Sequence, residues 1–232
     1  MNTNRRRLSF GAICIAFGVI ALIISSAIWI YNDIEYRRVA NSSRQKANDL
    51  LEIISNGDQY YFRSVVAGSS GASATFVPHN PGEPNVDEQE HDLILVDGVA
   101  YIGVISIPRL SLDMPVNSAW SYQALRNTPC LFSGSVEDNN IVIAAHNNRA
   151  NFGNINTLQL GDTVTLTDAT GTEIHYYIAN MEKAQPSHTA FASNGQYDLT
   201  FFTCTYEGRA RFVFRANRVD FINGQQKVAS AK

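Results

Sequence analysis

Twenty-four consecutive residues without a charge, Leu8 to Tyr31 ("LSFGAICIAFGVIALIISSAIWIY"), follow Arg5, Arg6 and Arg7. As a helix at roughly 1.5 Å per residue, the run spans about 36 Å, enough to cross a hydrocarbon core of roughly 30 Å with some tilt. Trp29 and Tyr31 sit where amphipathic rings settle at an interface. A cleavable signal peptide usually has an apolar region of only ~7–15 residues ending in small side chains. "AIWIY" does not fit that pattern, so the run is read as an uncleaved anchor. Its basic flank favours the cytoplasmic side, although Arg37 and Arg38, interspersed with Asp33 and Glu35, oppose it. The expectation is a single-pass protein of the cell membrane, with 1–7 cytoplasmic, 8–31 in the membrane and the rest outside the cell.

The 232 residues allow one ordinary domain plus such appendages. A net charge of −3 gives no basic field for nucleic acid. Beyond the anchor, Ala47, Leu50, Leu51 and Ile54 form one stripe of an amphipathic helix that stops near "SNGD", Ser55 to Asp58. An extracellular helical segment over 32–67 is expected. Residues 68–92, rich in Gly, Ser, Pro and acids, read as a flexible tether in which His79 and His91 are solvated.

From Leu93 short β segments take over. "LILV" and "AYIGVISIP" flank the hairpin dipeptide Asp97-Gly98. "NNIVIAAH", "DTVTLTD", "EIHYYIANME", "YDLTFFTC" and "RARFVFRANRV" follow, with a turn at Asp168 to Gly171 and one short helix at Trp120 to Asn127. Many short strands with local helices indicate an all-β barrel or sandwich over 93–223, ahead of a polar tail at 224–232 that carries no second membrane anchor.

The chemistry is sought at Cys204. On a strand, Thr200, Phe202 and Cys204 share one face while Leu199, Phe201 and Thr203 share the other. If the connection around Glu207-Gly208 is an even-numbered hairpin loop of two residues, or of four from Tyr206 to Arg209, Cys204 lies directly opposite Arg211. A guanidinium there lowers a thiol's pKa and offers donors to an oxyanion. Arg209, Arg215 and Arg218 are read as solvated or paired. A proton carrier is still needed. His146 ends the apolar run "IVIAA" and opens the loop "NNRANFGN", a good place for acid–base work; His188 in "QPSHTAF" is its rival, and His175 in mid-strand is structural. Cys14 lies in the anchor, and Cys130 is read as a structural thiol whose pairing with Cys204 would silence the latter.

"LTFFTC" with an arginine seven residues later, and "AAHNNRANFG" upstream, resembles the sortases, membrane-anchored cysteine transpeptidases of mainly Gram-positive bacteria. Their T-L-x-T-C strand motif reads Thr200 to Cys204 here with Phe201 in place of Leu, and their Gly-His reads Ala145-His146. The resemblance covers about Tyr101 to Phe221, including "IGVISIPRLSLDMPV" and "FGNINTLQLGDTVTL". It implies a closed sortase-type β-barrel of about eight strands with short helices. It also implies His146, Cys204 and Arg211 as the catalytic set, with Asn147 and Thr203 contacting substrate. His146-Asn147 and "TCTYE" look most like class B, and the missing C-terminal anchor and "DPW" lid argue against class C. The implied reaction cleaves a C-terminal sorting signal of a secreted protein through a Cys204 thioester and passes the acyl group to a peptidoglycan-precursor or protein amine.

No metal-site spacing, CxxC or phosphate loop occurs, so no cofactor is expected; calcium dependence is left open. The stretch from about Glu182 to Asp198 that would read the sorting signal carries no recognisable motif. Alternatives are another wall-directed cysteine transpeptidase or protease, or a non-catalytic extracellular β-barrel that only binds a partner. A cysteine L,D-transpeptidase fits poorly, since its histidine and cysteine lie close in a glycine-rich motif absent here.

Overall fold

The structure is a computed structural model that describes residues 10–56, 61–64, 91–185, 196–222 and 225–228. His79 and His188, and almost all of the expected tether, lie outside the described residues.

Helix α1 runs Phe10–Asn56 without a break. Neither Gly nor Pro occurs between Tyr31 and Asn56, and Arg37 pairs with Asp33 at 2.8 Å across one turn, so nothing in the sequence interrupts the ladder. The chain divides into two units, Met1–Val39 and Ala40–Lys232. The first contains an 18-residue window of mean hydropathy 2.6, long and apolar enough to cross a membrane, with side chains such as Ile15, Phe17 and Leu22 about 70% exposed. In the second, the expected stripe is present: Ala47 and Leu50 are buried against Ile94, Tyr101, Val104 and Ala169, with Leu51 and Ile54 at the edge.

Among the described residues eleven strands follow: β1 (Tyr61–Ser64), β2 (His91–Val96), β3 (Val99–Ile107), β4 (Leu112–Asn117), β5 (Cys130–Ser133), β6 (Ile141–Ala144), β7 (Thr163–Asp168), β8 (Glu173–Ala184), β9 (Leu199–Cys204), β10 (Arg211–Ile222) and β11 (Gln225–Val228). One short helix, α2 (Tyr122–Leu125), is capped by the Ser121 hydroxyl accepting from the Ala124 N–H at 3.0 Å. Eight strands close a ring in the order β3-β4-β5-β6-β9-β10-β8-β7, with β7 returning to β3. The all-β expectation and its closed eight-stranded barrel are observed. β2 and β1 extend the sheet from β3, and β11 pairs with β10. Strand β1 falls in the stretch expected to be helical, and β11 in the expected polar tail.

Closure depends on Gly103. The first residues of β3 pair with β2 and the next four with β7, and the shift occurs at Gly103, whose φ is +146°. A Cβ there would overlap the Thr167 carbonyl on β7, so only glycine lets the two strands approach. The β2–β3 turn is Asp97-Gly98, both with positive φ (52° and 77°), as the dipeptide predicts.

The barrel is filled by one cluster that includes Ile105, Ile143, Phe152, Leu166, Phe201 and Phe214. Phe201 is fully buried, its ring stacked on Phe214 with centroids 5.3 Å apart and edge-on to Phe152 at 5.7 Å. A second cluster lies on the outer face of β6, β9 and β10: Val142, Ala144, Phe202 and Val213, covered by Trp120, Leu125, Phe132 and Ala184. "IVIAA" is apolar at every position because both of its faces are covered.

Candidate functional site

Strands β9 and β10 form a hairpin whose opposed residue numbers sum to 415, from Ala216 opposite Leu199 up to Arg211 opposite Cys204. The loop is the four-residue form, Tyr206 to Arg209. The Thr205 N–H donates to the Ala210 carbonyl at 2.9 Å, and the Ala210 N–H donates back to the Thr205 hydroxyl at 3.2 Å. Gly208, at φ +68°, turns the chain. Directly opposed residues share a face with Cβ atoms about 4.5–5.5 Å apart, so Arg211 stands beside Cys204.

On the other side of β9, strand β6 runs parallel, with Ala144 opposite Phe202 and every pair offset by 58 residues. The ladder continues past the last strand pair: the Ala145 N–H donates to the Phe202 carbonyl at 3.1 Å, and the Thr203 hydroxyl donates to the Ala145 carbonyl at 2.8 Å. Carried one residue further, the same offset sets His146 alongside Cys204 on the neighbouring strand, about 4.8 Å away in the hydrogen-bonding direction. Alternation puts His146 on the face of Val142 and Ala144, Cys204 on that of Phe202, and Arg211 on that of Val213. All three therefore occupy one row on the barrel's outer face, next to its apolar cluster. His146 is exposed, while Cys204 and Arg211 are partly exposed.

The loop after His146 is folded back on it. The His146 carbonyl accepts from the N–H groups of Asn148 (3.0 Å) and Phe152 (3.2 Å), and Phe152 is buried in the core. The Asn151 amide donates to the Leu125 carbonyl at 3.2 Å, tying this loop to α2. Asn147 is partly exposed beside His146. Thr203 is 2% exposed and faces the barrel interior, so its hydroxyl joins the ends of β6 and β9 rather than the outer surface. Thr203→Val is expected to cost about 1–2 kcal/mol by leaving the Ala145 carbonyl short of a donor. Thr203→Ser should retain most of that stability. Thermal unfolding of the two variants checks this.

The arginines of β10 and its loop differ in their partners. Arg209 pairs with Glu207 at 3.4 Å on the surface, Arg215 with Glu182 at 2.8 Å, and the Arg218 N–H donates to the Asp198 carboxylate at 2.8 Å. Among the described residues no carboxylate lies within ion-pair distance of Arg211, whose guanidinium donates only to the Ala210 carbonyl at 3.4 Å. His175, on β8, is engaged with the Thr165 hydroxyl at 3.1 Å and Glu173 at 3.7 Å, away from the row.

Cys130 and Cys204 are both free thiols. Cys130 opposes Ala144, one row below His146 and two strands from Cys204, so the two are roughly 12 Å apart by strand spacing, too far to bridge. Burial pushes the Cys130 thiol up from 9.0 to about 12. In the unfolded chain that thiol loses its proton near pH 9, whereas the folded protein holds it to about 12. The unfolded state binds fewer protons across that window, so stability is expected to fall there as pH rises. Tyr176, whose phenol burial also raises, adds to the fall. Cys130→Ala should flatten but not abolish this slope in denaturant unfolding; an unchanged slope would refute the assignment. Native Cys130 should also alkylate far more slowly than Cys204.

Sequence reasoning missed the outer apolar cluster. Trp120 and Leu125 come from the α2 segment and Phe132 from β5, and only "IVIAA" signalled that the outer face is covered.

Residues 105–219 match the family model "Sortase domain". No curated protein matches the sequence. Among solved structures, a Clostridium perfringens sortase D5 transpeptidase is 26% identical, with a TM-score of 0.48 over 54% of this chain and 82% of that one. Sortase C1 of Streptococcus suis is 23% identical (0.47; 54% and 76%). Sortase C1 of Streptococcus agalactiae is 21% identical (0.48; 54% and 70%). Over 105–219, just under half of the 232 residues, the chain is similar to the sortase domain.

Proposed function

We propose that the protein is a membrane-anchored sortase-type transpeptidase using Cys204, His146 and Arg211. The observation that supports this is Arg211 directly opposite Cys204, with no carboxylate partner among the described residues; the β6–β9 register, carried two residues past Ala144, sets His146 beside the thiol on its other side. The Cys204 sulfur attacks the carbonyl carbon of a Thr-Gly-type bond in a C-terminal sorting signal. Arg211 faces the oxyanion that forms. The C–N bond breaks as His146 gives its proton to the departing amine, and a C–S thioester remains on Cys204. An amine from a peptidoglycan precursor or another protein then attacks, His146 takes its proton, and the C–S bond breaks as the new amide forms. Asn147 is assigned to substrate contact. Thr203, facing inward, is assigned to holding the two strand ends together. No cofactor is invoked.

The apolar helix supports membrane anchoring, and Arg5, Arg6 and Arg7 ahead of it favour a barrel outside the cell. A class B assignment rests on His146-Asn147 and "TCTYE", while the solved structures compared above carry class C and D names. The test is incubation of the full chain, in detergent, with a panel of sorting-signal peptides and candidate amines. Mass spectrometry should find an acyl group on the Cys204 peptide that disappears when an accepted amine is added. An adduct confined to another residue would refute the reading.

A further inference from the structure

Two residues beyond Arg211 on the outer face of β10 lies Val213, and two further lies Arg215, which is only 8% exposed. Its Nη2 donates to Glu182 Oε1 at 2.8 Å, and its guanidinium carbon sits 5.4 Å over the ring of Tyr197. Glu182 opposes Val213 from β8, whereas Tyr197 lies two residues ahead of β9. β8 and β9 are not neighbours, since β10 runs between them. One guanidinium planted on the middle strand therefore grips a carboxylate from one flank and an aromatic ring from the other. The turn ahead of β9 is held twice more, by Asp198 accepting from the Arg218 N–H at 2.8 Å and from the Ile141 N–H at 3.2 Å.

This arrangement is a poor way to gain stability. Arg215 is buried but the Glu182 side chain stays 39% exposed, so water screens the pair and it adds little stability, while the arginine's own desolvation still has to be offset. Here it is also incompletely satisfied: Arg215 Nε and the Oδ1 of Asn180, directly opposite on β8, are both buried without a partner among the described residues. What an arginine offers that an apolar residue cannot is fixed geometry: a directional bond to one strand and a planar face for a ring on the other.

We propose that Arg215 is a positioning residue of the acyl-transfer site. It fixes β8 and the start of β9 against β10, and so sets the alignment of the outer face along which a peptide reaches Cys204. The proposal rests on the reading of Cys204 as a nucleophile towards a peptide.

The test compares Arg215→Met, which keeps length but not charge, and Arg215→Lys, which can pair with Glu182 but cannot stack as a fork, in the full chain in detergent. Two readouts are needed. Arg215→Met should raise the KM for an accepted sorting peptide roughly tenfold while kcat stays within about twofold. Amide hydrogen exchange should quicken both in residues 178–184 and in 197–202. Arg215→Lys should fall between Arg215→Met and the unsubstituted protein in both. Unchanged KM, a loss in kcat alone, or faster exchange in β10 only would overturn the proposal. If the unsubstituted protein acylates with no peptide, the functional reading fails, and the exchange pattern still decides whether Arg215 couples the two strands.

Discussion

Cys204→Ala is expected to abolish the acyl-enzyme and lower transpeptidation by at least about 10⁴-fold, because no other group in the row can form the covalent intermediate. The fold should survive. Cys204 is the last residue of β9 and only partly buried, so removing its sulfur opens no core cavity, and a change within about 0.5 kcal/mol is expected for such a site. Cys204→Ser should not rescue turnover, since a hydroxyl is a far weaker nucleophile than a thiol and a lateral histidine is asked to activate it. Cys130→Ala supplies the contrast. That thiol is fully buried and lies two strands from Cys204, so its loss should touch stability and leave acylation intact. Turnover with peptide and amine, read beside thermal unfolding of each variant, separates the two cysteines. Residual turnover in Cys204→Ala would remove the covalent mechanism. A protein that alkylates both thiols equally slowly would point instead to a barrel that only binds.

The site was legible in the sequence to the extent that it is local. The alternation in "LTFFTC" and the Glu207-Gly208 turn sufficed to set Arg211 opposite Cys204, and the observed four-residue loop yields that register. His146 stands out as a candidate by its place at the end of an apolar strand, but its alignment with Cys204 does not. That alignment depends on β6 and β9 pairing in parallel at an offset of 58 residues, which no local pattern encodes. Long-range closure was hidden for the same reason. Gly103 reads as an ordinary strand glycine until β7 is seen to pass within contact of its Cα. β4 and β5 meet through one residue pair, Asn117 with Cys130, too little to leave a periodic trace. β11, "QQKV", is too polar to read as a strand, because it only extends the edge beside β10. The helix was read in two pieces because its composition changes at Tyr31, although its backbone does not.

The second large effect is expected at Arg211. Arg211→Ala should lower kcat by about 10²–10³-fold, the loss usual for removing one donor to a developing oxyanion, with a smaller change in KM. Arg211→Lys should recover little of it. An ammonium keeps the charge, but it lacks the planar fork that can face both the thiol and the oxygen forming beside it. Arg209→Ala is the control. Arg209 is in the same hairpin, two residues away and of the same charge, yet it points into solvent and pairs with Glu207, so its loss should change turnover by less than about twofold. The comparison tests register rather than charge. If the hairpin loop held an odd number of residues, Arg211 would face the barrel interior and the two variants would behave alike. Equal losses would mean that the cationic field of the loop matters and the pairing does not. A large loss at Arg211 with none at Arg209 is the outcome that the four-residue loop requires.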